Sequence, residues 1–115
     1  MFDLSCHCGK VTLTVSADAP SEVMACNCSH CRRKGLLLAF FPRDQVDLTS
    51  GEGDLTSYLF NKHAIEHRFC ATCGCQPFAE GKMPDGSPIR AVNLRCAPGI
   101  ALDALTIQDV DGASF

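Results

Sequence analysis

The cysteines of this chain are the residues whose spacing most clearly predicts chemistry. Nine of the 115 residues are cysteine, and seven of these fall into three short groups. The groups are Cys6 and Cys8, then Cys26, Cys28 and Cys31, and finally Cys70 and Cys73. Thiolates at such close spacing can bind one small ion, and tetrahedral sulfur sites select zinc or iron–sulfur clusters. The spacing therefore predicts metal binding.

A disulfide framework is the competing use of so many cysteines, and the sequence argues against it. The total is odd, the cysteines are clustered, and a bridge within a C-x-C segment would strain the disulfide geometry. Residues 1–6 have neither the basic nor the apolar segment of a secretion signal. We therefore expect a cytoplasmic protein whose thiols stay reduced.

The three groups divide into one closed set and one open set of ligands. The first and third groups together make a Cys₄ set, which a structural zinc requires: Cys6, Cys8, Cys70 and Cys73. Gly9 and Gly74 follow these pairs and can adopt the positive φ that such turns often need. The second group has three thiolates and no obvious fourth ligand, which is the pattern of a catalytic zinc with an open position. We therefore expect two zinc ions per chain, one structural and one catalytic.

Other interpretations of the cysteines stay open on the sequence alone. The second group could also be structural, with His30, Cys75 or Cys96 as its fourth ligand. All nine cysteines could be small buried side chains, although the repeated short spacings disfavour this. An iron–sulfur cluster is disfavoured because the spacings match none of the common ferredoxin patterns. His7 and His30 lie between ligand cysteines, and we expect both side chains to point outward.

The remaining sequence predicts a mainly β protein whose cysteine turns lie at strand ends. Residues 10–16 alternate apolar and polar side chains, as a half-buried strand does. The other predicted strands are 36–41, 46–48, 55–60, 63–69 and 89–94. Turns are predicted at Asn61-Lys62 and at residues 84–87, and residues 102–105 could form one helical turn. His63 and His67 share one face of their segment and are read as surface or satisfied core histidines.

Charge and hydropathy exclude two classes of partner. The chain has ten basic and thirteen acidic side chains, for a formal net charge of −3. Its only basic run is Arg32-Arg33-Lys34, which is too little for a nucleic-acid-binding face. The longest apolar run, residues 36–41, is too short to cross a bilayer. The length suits one domain, residues 1–115, and the oligomeric state is not predicted.

The motifs of this chain resemble those of the glutathione-dependent formaldehyde-activating enzymes. The domain of these enzymes also occurs in centromere protein V. The likeness covers almost the whole chain. Matching residues are Cys6-x-Cys8-Gly9-x-Val11, Cys26-x-Cys28-Ser29-x-Cys31-Arg32-Arg33, Gly51 with Leu55-Thr56-Ser57-Tyr58, His67-x-Phe69-Cys70-x-x-Cys73-Gly74, Gln76-Pro77-Phe78, Val92-Asn93-Leu94-Arg95-Cys96 and Asp111-Gly112. Asn27 is a departure, because the family commonly has histidine there.

This resemblance implies a fold, two metal sites and a reaction. The fold would be a set of packed antiparallel β-sheets, similar to that of the small zinc protein MSS-four and stapled by zinc knuckles. The structural zinc would lie in the closed set and the catalytic zinc between Cys26, Cys28 and Cys31. The reaction joins formaldehyde to the thiol of glutathione, giving S-hydroxymethylglutathione, and is classed as a carbon–sulfur lyase reaction.

The donor set agrees with such a reaction. Three thiolates make zinc a weak Lewis acid, which suits the binding of a substrate thiolate more than the formation of hydroxide. Arg32 and Arg33 follow the last ligand and could bind a substrate carboxylate. The alternative is a non-enzymatic zinc scaffold with two structural sites that binds a protein partner. The fourth ligand of the Cys26 group separates the two hypotheses.

Overall fold

Short strands are the main secondary structure of the described residues, as the sequence predicted. The computed structural model describes residues 1–60 and 65–114. The strands within them are β1 (Phe2–Ser5), β2 (Thr12–Val15), β3 (Glu22–Cys26), β4 (Leu38–Pro42), β5 (Val46–Ser50), β6 (Leu55–Tyr58), β7 (Glu66–Cys70), β8 (Phe78–Lys82), β9 (Pro88–Asn93) and β10 (Thr106–Val110). The described residues also contain one α-helix, α1 (Ser29–Lys34), and 3-10 turns at Arg43–Gln45, Glu52–Asp54, Leu94–Cys96, Leu102–Ala104 and Gly112–Ser114. A helix with the length and apolarity to span a bilayer is not found in the described residues.

The described strands form two sheets. The smaller sheet has the order β1-β2-β5, and the larger has the order β10-β3-β4-β9-β8-β7-β6. Among the described residues, neighbouring strands pair antiparallel except at one edge, where β10 runs parallel to β3. The prediction of packed antiparallel sheets is therefore confirmed for most of the fold, and the parallel edge strand is an addition to it.

The predicted strands lie close to their expected positions. Val11, Leu13 and Val15 are all buried, so the alternation of the first predicted strand is confirmed. The strand expected at residues 36–41 begins only at Leu38, because Gly35 caps α1 in a left-handed conformation and the chain must first leave the helix. Strand β6 pairs antiparallel with β7, while the predicted turn at Asn61-Lys62 lies outside the described residues.

The later turns also agree with the sequence. The predicted turn at residues 84–87 joins β8 to β9, and within it the Met83 N–H donates to the Ser87 carbonyl at 2.9 Å. Residues 102–105 were expected to form one helical turn, and the structure has a 3-10 turn at Leu102–Ala104. The cysteine turns lie at strand ends as predicted, since Cys6 follows β1, and Cys26 and Cys70 are the last residues of β3 and β7.

The two faces of the larger sheet pack against different parts of the protein. One face packs against the smaller sheet and forms the main core, whose fully buried side chains include Leu4, Leu13, Val46, Phe78 and Val92. Successive strand residues point to opposite faces, so Ala79 and Ala91 face the other way. There they pack with Cys31 of α1 and with Leu36 and Leu38. Helix α1 therefore lies on the outer face of the larger sheet, over β8 and β9.

An ion-pair network crosses from the larger sheet to the smaller. Glu80 accepts from Arg90 Nε at 3.1 Å and from Arg68 Nη1 at 3.2 Å, and it pairs with Arg43 Nε at 3.2 Å. Burial alone would raise the pKa of Glu80, but Arg90 above all keeps it below its usual value. Arg90 Nη1 also donates to the Val46 carbonyl of β5 at 2.7 Å. The Glu80 carboxylate is therefore the shared acidic partner of two largely buried guanidinium groups.

We predict that Glu80→Ala lowers the free energy of unfolding by about 3 kcal/mol, because it leaves the charges of Arg68 and Arg90 buried without their shared partner. Arg43→Ala is the matched control, since the Arg43 side chain is 55% exposed and such pairs contribute at most about 1 kcal/mol. Urea unfolding followed by circular dichroism measures both. Losses of equal size in the two variants would contradict the prediction.

Candidate metal centres

The sulfurs of Cys6, Cys8, Cys70 and Cys73 converge on one point. All four Sγ atoms lie within 4.8 Å of one another. The Cys6–Cys8 and Cys8–Cys70 sulfur pairs are each 3.6 Å apart. Tetrahedral zinc with bonds of about 2.3 Å places its sulfur ligands about 3.8 Å apart. The group therefore fits a closed, four-coordinate metal site and brings together the residues that the sequence predicted.

Two similar turns shape this site. Gly9 and Gly74 have φ values of 83° and 81°, and each donates its N–H to the carbonyl of the first cysteine of its turn. The Val11 N–H also donates to Cys6 Sγ at 3.3 Å. Hydrogen bonds from the backbone N–H groups of Cys75 and Cys8 lower the pKa of Cys73 to about 5. These hydrogen bonds thus stabilise the thiolate of Cys73, which is the form that binds metal.

The second group of sulfurs belongs to Cys26, Cys28 and Cys31. Their Sγ atoms also lie within 4.8 Å of one another. Cys26 ends β3, Cys28 caps the N-terminus of α1, and Cys31 is the buried residue of that helix. The strand-to-helix junction therefore brings three thiols together within six residues. This group could hold a metal ion through three sulfurs.

Backbone hydrogen bonds also support the thiolate form in this group. The Cys28 N–H donates to Cys26 Sγ at 3.4 Å, and the Cys31 N–H donates to Cys28 Sγ at 3.3 Å. Burial would raise the pKa of Cys28, but the hydrogen bonds from Cys31 bring it below its usual value. Burial raises the pKa of Cys31. Of these two thiols, the deeper one, Cys31, is therefore the harder to ionise in the absence of a cation.

A fourth protein ligand does not join this group within the described residues. Cys96 instead lies with its sulfur 3.7 Å from the Gln76 carbonyl. Burial, with the nearby thiols of Cys75, Cys6 and Cys73, raises the pKa of Cys96 to about 12. Cys96 is therefore beside the four-sulfur group, and both Cys75 and Cys96 pack against the main core.

His30 does not point outward, and the expectation for it is wrong. Its ring packs against the rings of His67, Phe60 and Tyr58, with centroid distances of 3.9, 5.3 and 5.6 Å. The cause is the position of α1 over the sheet, which faces His30 toward the β6–β7 pair. Both ring nitrogens of His30 are buried without a hydrogen-bond partner in the described part of the chain. His7, in contrast, is exposed as expected.

His67 is a satisfied core histidine, as the sequence analysis favoured. Lys34 Nζ, which can only donate, lies 3.0 Å from Gln76 Oε1, so Gln76 Nε2 is the atom 2.9 Å from His67 Nδ1. His67 Nδ1 therefore accepts, and its ring proton is on Nε2. Burial, with the neighbouring His30 and Lys34, lowers the pKa of His67 to about 4. The ring is neutral at pH 7. His63 lies outside the described residues.

The two arginines after the last ligand are not equivalent. Arg33 Nη1 donates to the Ser29 carbonyl at 2.9 Å, so this guanidinium is held along its own helix. Arg32 is exposed at the end of α1. The structure therefore favours Arg32 over Arg33 as a group that could contact a ligand.

The C-terminal segment also reaches this group, which the spacing of the cysteines could not indicate. The Asn27 side chain hydrogen-bonds to Asp111 and to the backbone of Ala113. Gly112 lies directly against Cys26. Among the sequence observations, only the departure at Asn27 and the motif residues Asp111-Gly112 pointed to these positions.

Comparison with known proteins agrees with this architecture. A family model described as glutathione-dependent formaldehyde-activating enzyme matches residues 1–102, which include both the four-sulfur and the three-sulfur group. A crystal structure of a Rhodobacter sphaeroides protein, a structural genomics target, superposes with a TM-score of 0.81. Its sequence is 26% identical, and the alignment covers 94% of this chain and 99% of that one.

We predict that disrupting the four-sulfur group and disrupting the three-sulfur group have different effects on thermal stability and zinc content. The purified wild-type protein should contain two zinc ions per chain. Cys70→Ser should lose thermal stability, because the four-sulfur site joins segments more than sixty residues apart and its binding free energy is part of folding. Cys28→Ser should stay folded and keep one zinc ion.

Elemental analysis and thermal unfolding of the two variants measure this difference, with Cys75→Ser as the control cysteine outside both groups. Iron in place of zinc, one zinc ion in the wild type, or equal destabilisation by the two substitutions would contradict the division into unequal sites.

Proposed function

Because this chain belongs to the family of glutathione-dependent formaldehyde-activating enzymes, we propose that it is a zinc-dependent carbon–sulfur lyase. Its substrates would be a small thiol, glutathione or one similar to it, and a small electrophile such as formaldehyde. The thiol sulfur bonds to the carbonyl carbon as the carbon–oxygen π bond breaks, and the proton lost by the thiol is balanced by the one gained at oxygen. The product is an S-hydroxymethyl thioether, and residues 1–115 would act as one domain.

The unequal number of sulfurs in the two groups carries this proposal. Four sulfurs complete a tetrahedral site, whereas Cys26, Cys28 and Cys31 leave one position for an exogenous ligand. A zinc ion held there would lower the pKa of a bound thiol, so that the nucleophile exists at neutral pH. The three cysteines are therefore the proposed catalytic ligands, and Cys6, Cys8, Cys70 and Cys73 are the proposed structural ones.

The residues around the open group fit a substrate that also carries negative charge. Three thiolates and a divalent cation leave a formal charge of −1, so an anionic thiol needs a nearby positive group. Arg32 is exposed one residue beyond the last ligand, and it can bind a carboxylate through two parallel hydrogen bonds. Arg32 is therefore proposed to orient the substrate, with Arg33 in a lesser role because of its bond to Ser29.

The reaction itself is the direct test. With glutathione and formaldehyde, the zinc-loaded wild-type protein should increase the rate at which free formaldehyde is consumed above the rate without protein. Cys28→Ser should remove this increase while the protein remains folded, since it breaks the three-sulfur group only. The readout is stopped-flow detection of free formaldehyde. A wild-type rate equal to the uncatalysed rate would favour the zinc scaffold over the enzyme.

We predict that glutathione binds more tightly than its diester. One charge-assisted contact contributes about 1.5–3 kcal/mol, or roughly ten- to a hundredfold in affinity. Arg32→Ala should remove most of this preference and Arg33→Ala little of it, and added salt should weaken it because the side chain is exposed.

Isothermal titration at two salt concentrations measures these affinities. Equal binding of the acid and the ester would exclude a role for Arg32, and a lack of binding by both would favour the scaffold with a protein partner.

A further inference from the structure

The last described residues of the chain return to the three-cysteine group. Strand β10 runs parallel to β3, and Val110 is paired with Cys26. The Asn27 N–H continues this pairing by donating to the Val110 carbonyl at 3.0 Å. The 3-10 turn Gly112–Ser114 follows immediately. The parallel edge strand therefore delivers this turn to the cysteine group.

The side-chain amide of Asn27 holds the turn through two hydrogen bonds. Its Nδ2 donates to Asp111 Oδ1 at 2.9 Å, and its Oδ1 accepts from the Ala113 N–H at 2.9 Å. The other oxygen of Asp111 accepts from the Ser114 hydroxyl at 2.7 Å. Hydrogen bonds from Ser114 and Asn27 lower the pKa of Asp111. Asn27 thus uses both its donor and its acceptor to hold one segment.

Gly112 shows how closely this segment approaches the sulfur. A Cβ atom at Gly112 would overlap Cys26 Sγ and would lie 3.6 Å from the Cβ of Cys28. The backbone of Gly112 is not in the left-handed region, so space, and not conformation, requires a glycine here. The turn therefore covers one side of the ligand group at van der Waals contact.

We propose that Asn27 is a positioning residue that holds the C-terminal turn as a cover over Cys26, and that this cover slows the release of metal from the three-cysteine group. The inference rests on the metal site of the proposed function. A close backbone cover excludes water and competing ligands from the Cys26 side of the group. Residues that hold metal ligands in place typically change metal affinity 10- to 100-fold when they are removed.

The chain provides a matched control at His7. Like Asn27, His7 is the exposed middle residue of a C-x-C segment, but it leads into a turn that closes on its own residues. If any substitution in the middle of a C-x-C segment accelerated zinc release, substitutions at both residues would do so. An effect of the cover would appear only at Asn27.

The experiment uses the zinc-loaded full chain and two readouts that do not depend on catalysis. Transfer of zinc to a coloured chelator should show two phases in the wild type. Asn27→Ala should accelerate only one of them, by about 10- to 100-fold, and should increase amide hydrogen exchange in residues 110–114. His7→Ala should leave both readouts at wild-type values.

A charge-conserving exchange separates positioning from simple damage. Asn27→Asp places two carboxylates face to face, loses the donor to Asp111, and should behave as Asn27→Ala does. Adding Asp111→Asn restores a donor between the two side chains, and the carboxylate introduced at position 27 would still accept from the Ala113 N–H. The double variant should therefore recover most of the wild-type release rate and amide protection.

The outcomes distinguish the two proposals. Two release phases that Asn27→Ala leaves unchanged would overturn the cover while the proposed function stands. A double variant no better than Asn27→Asp would also overturn it. A wild type with a single zinc ion would overturn the proposed function, and with it the role of Asn27 in retaining metal.

Discussion

Four cysteine sulfurs that converge on one point link the smaller sheet to the larger. Cys8 and Cys70 are separated by sixty-two residues, yet their sulfurs are 3.6 Å apart. Thiolates at this distance repel one another, and the backbone N–H groups around them offset only part of that repulsion. A cation bound between the sulfurs would remove this repulsion, and its binding free energy would become part of the free energy of folding. The four sulfurs lie where the end of β1 in the smaller sheet meets the end of β7 in the larger, so a bound cation would add to the packing of the two sheets.

Local patterns carried most of what the sequence could predict. The cysteine groups and the alternation of strand β2 are readable because each is complete within a few residues. Helix α1 was not predicted, because its six residues have no apolar periodicity and its buried member is Cys31. Strand β10 was not predicted either, because its side chains are mostly exposed and its partner β3 is distant in sequence. Such elements are specified by tertiary pairing, which a single sequence does not display.

In the candidate site, the sequence also failed to predict the directions of some side chains. The residue types and spacing predicted which sulfurs come together, but they could not predict where the intervening residues point. His30 was expected in solvent, and it is packed against His67 because α1 lies across the outer face of the larger sheet. The direction of that ring follows from the placement of an unpredicted helix. Errors in the site therefore trace to errors in the fold around it.

The two C-x-C segments show how much the surrounding strands add to a motif. In both, a cysteine at or just after a strand end is followed by one residue and a second cysteine. The first segment closes on its own backbone, and His7 is left exposed. The second continues beside β10, so Asn27 reaches a segment more than eighty residues away in the sequence. Identical spacing thus gives a self-contained turn in one place and, in the other, a ligand group whose cover comes from the far end of the chain. The surroundings of each sulfur group are therefore set by the neighbouring segments as well as by the spacing of its cysteines.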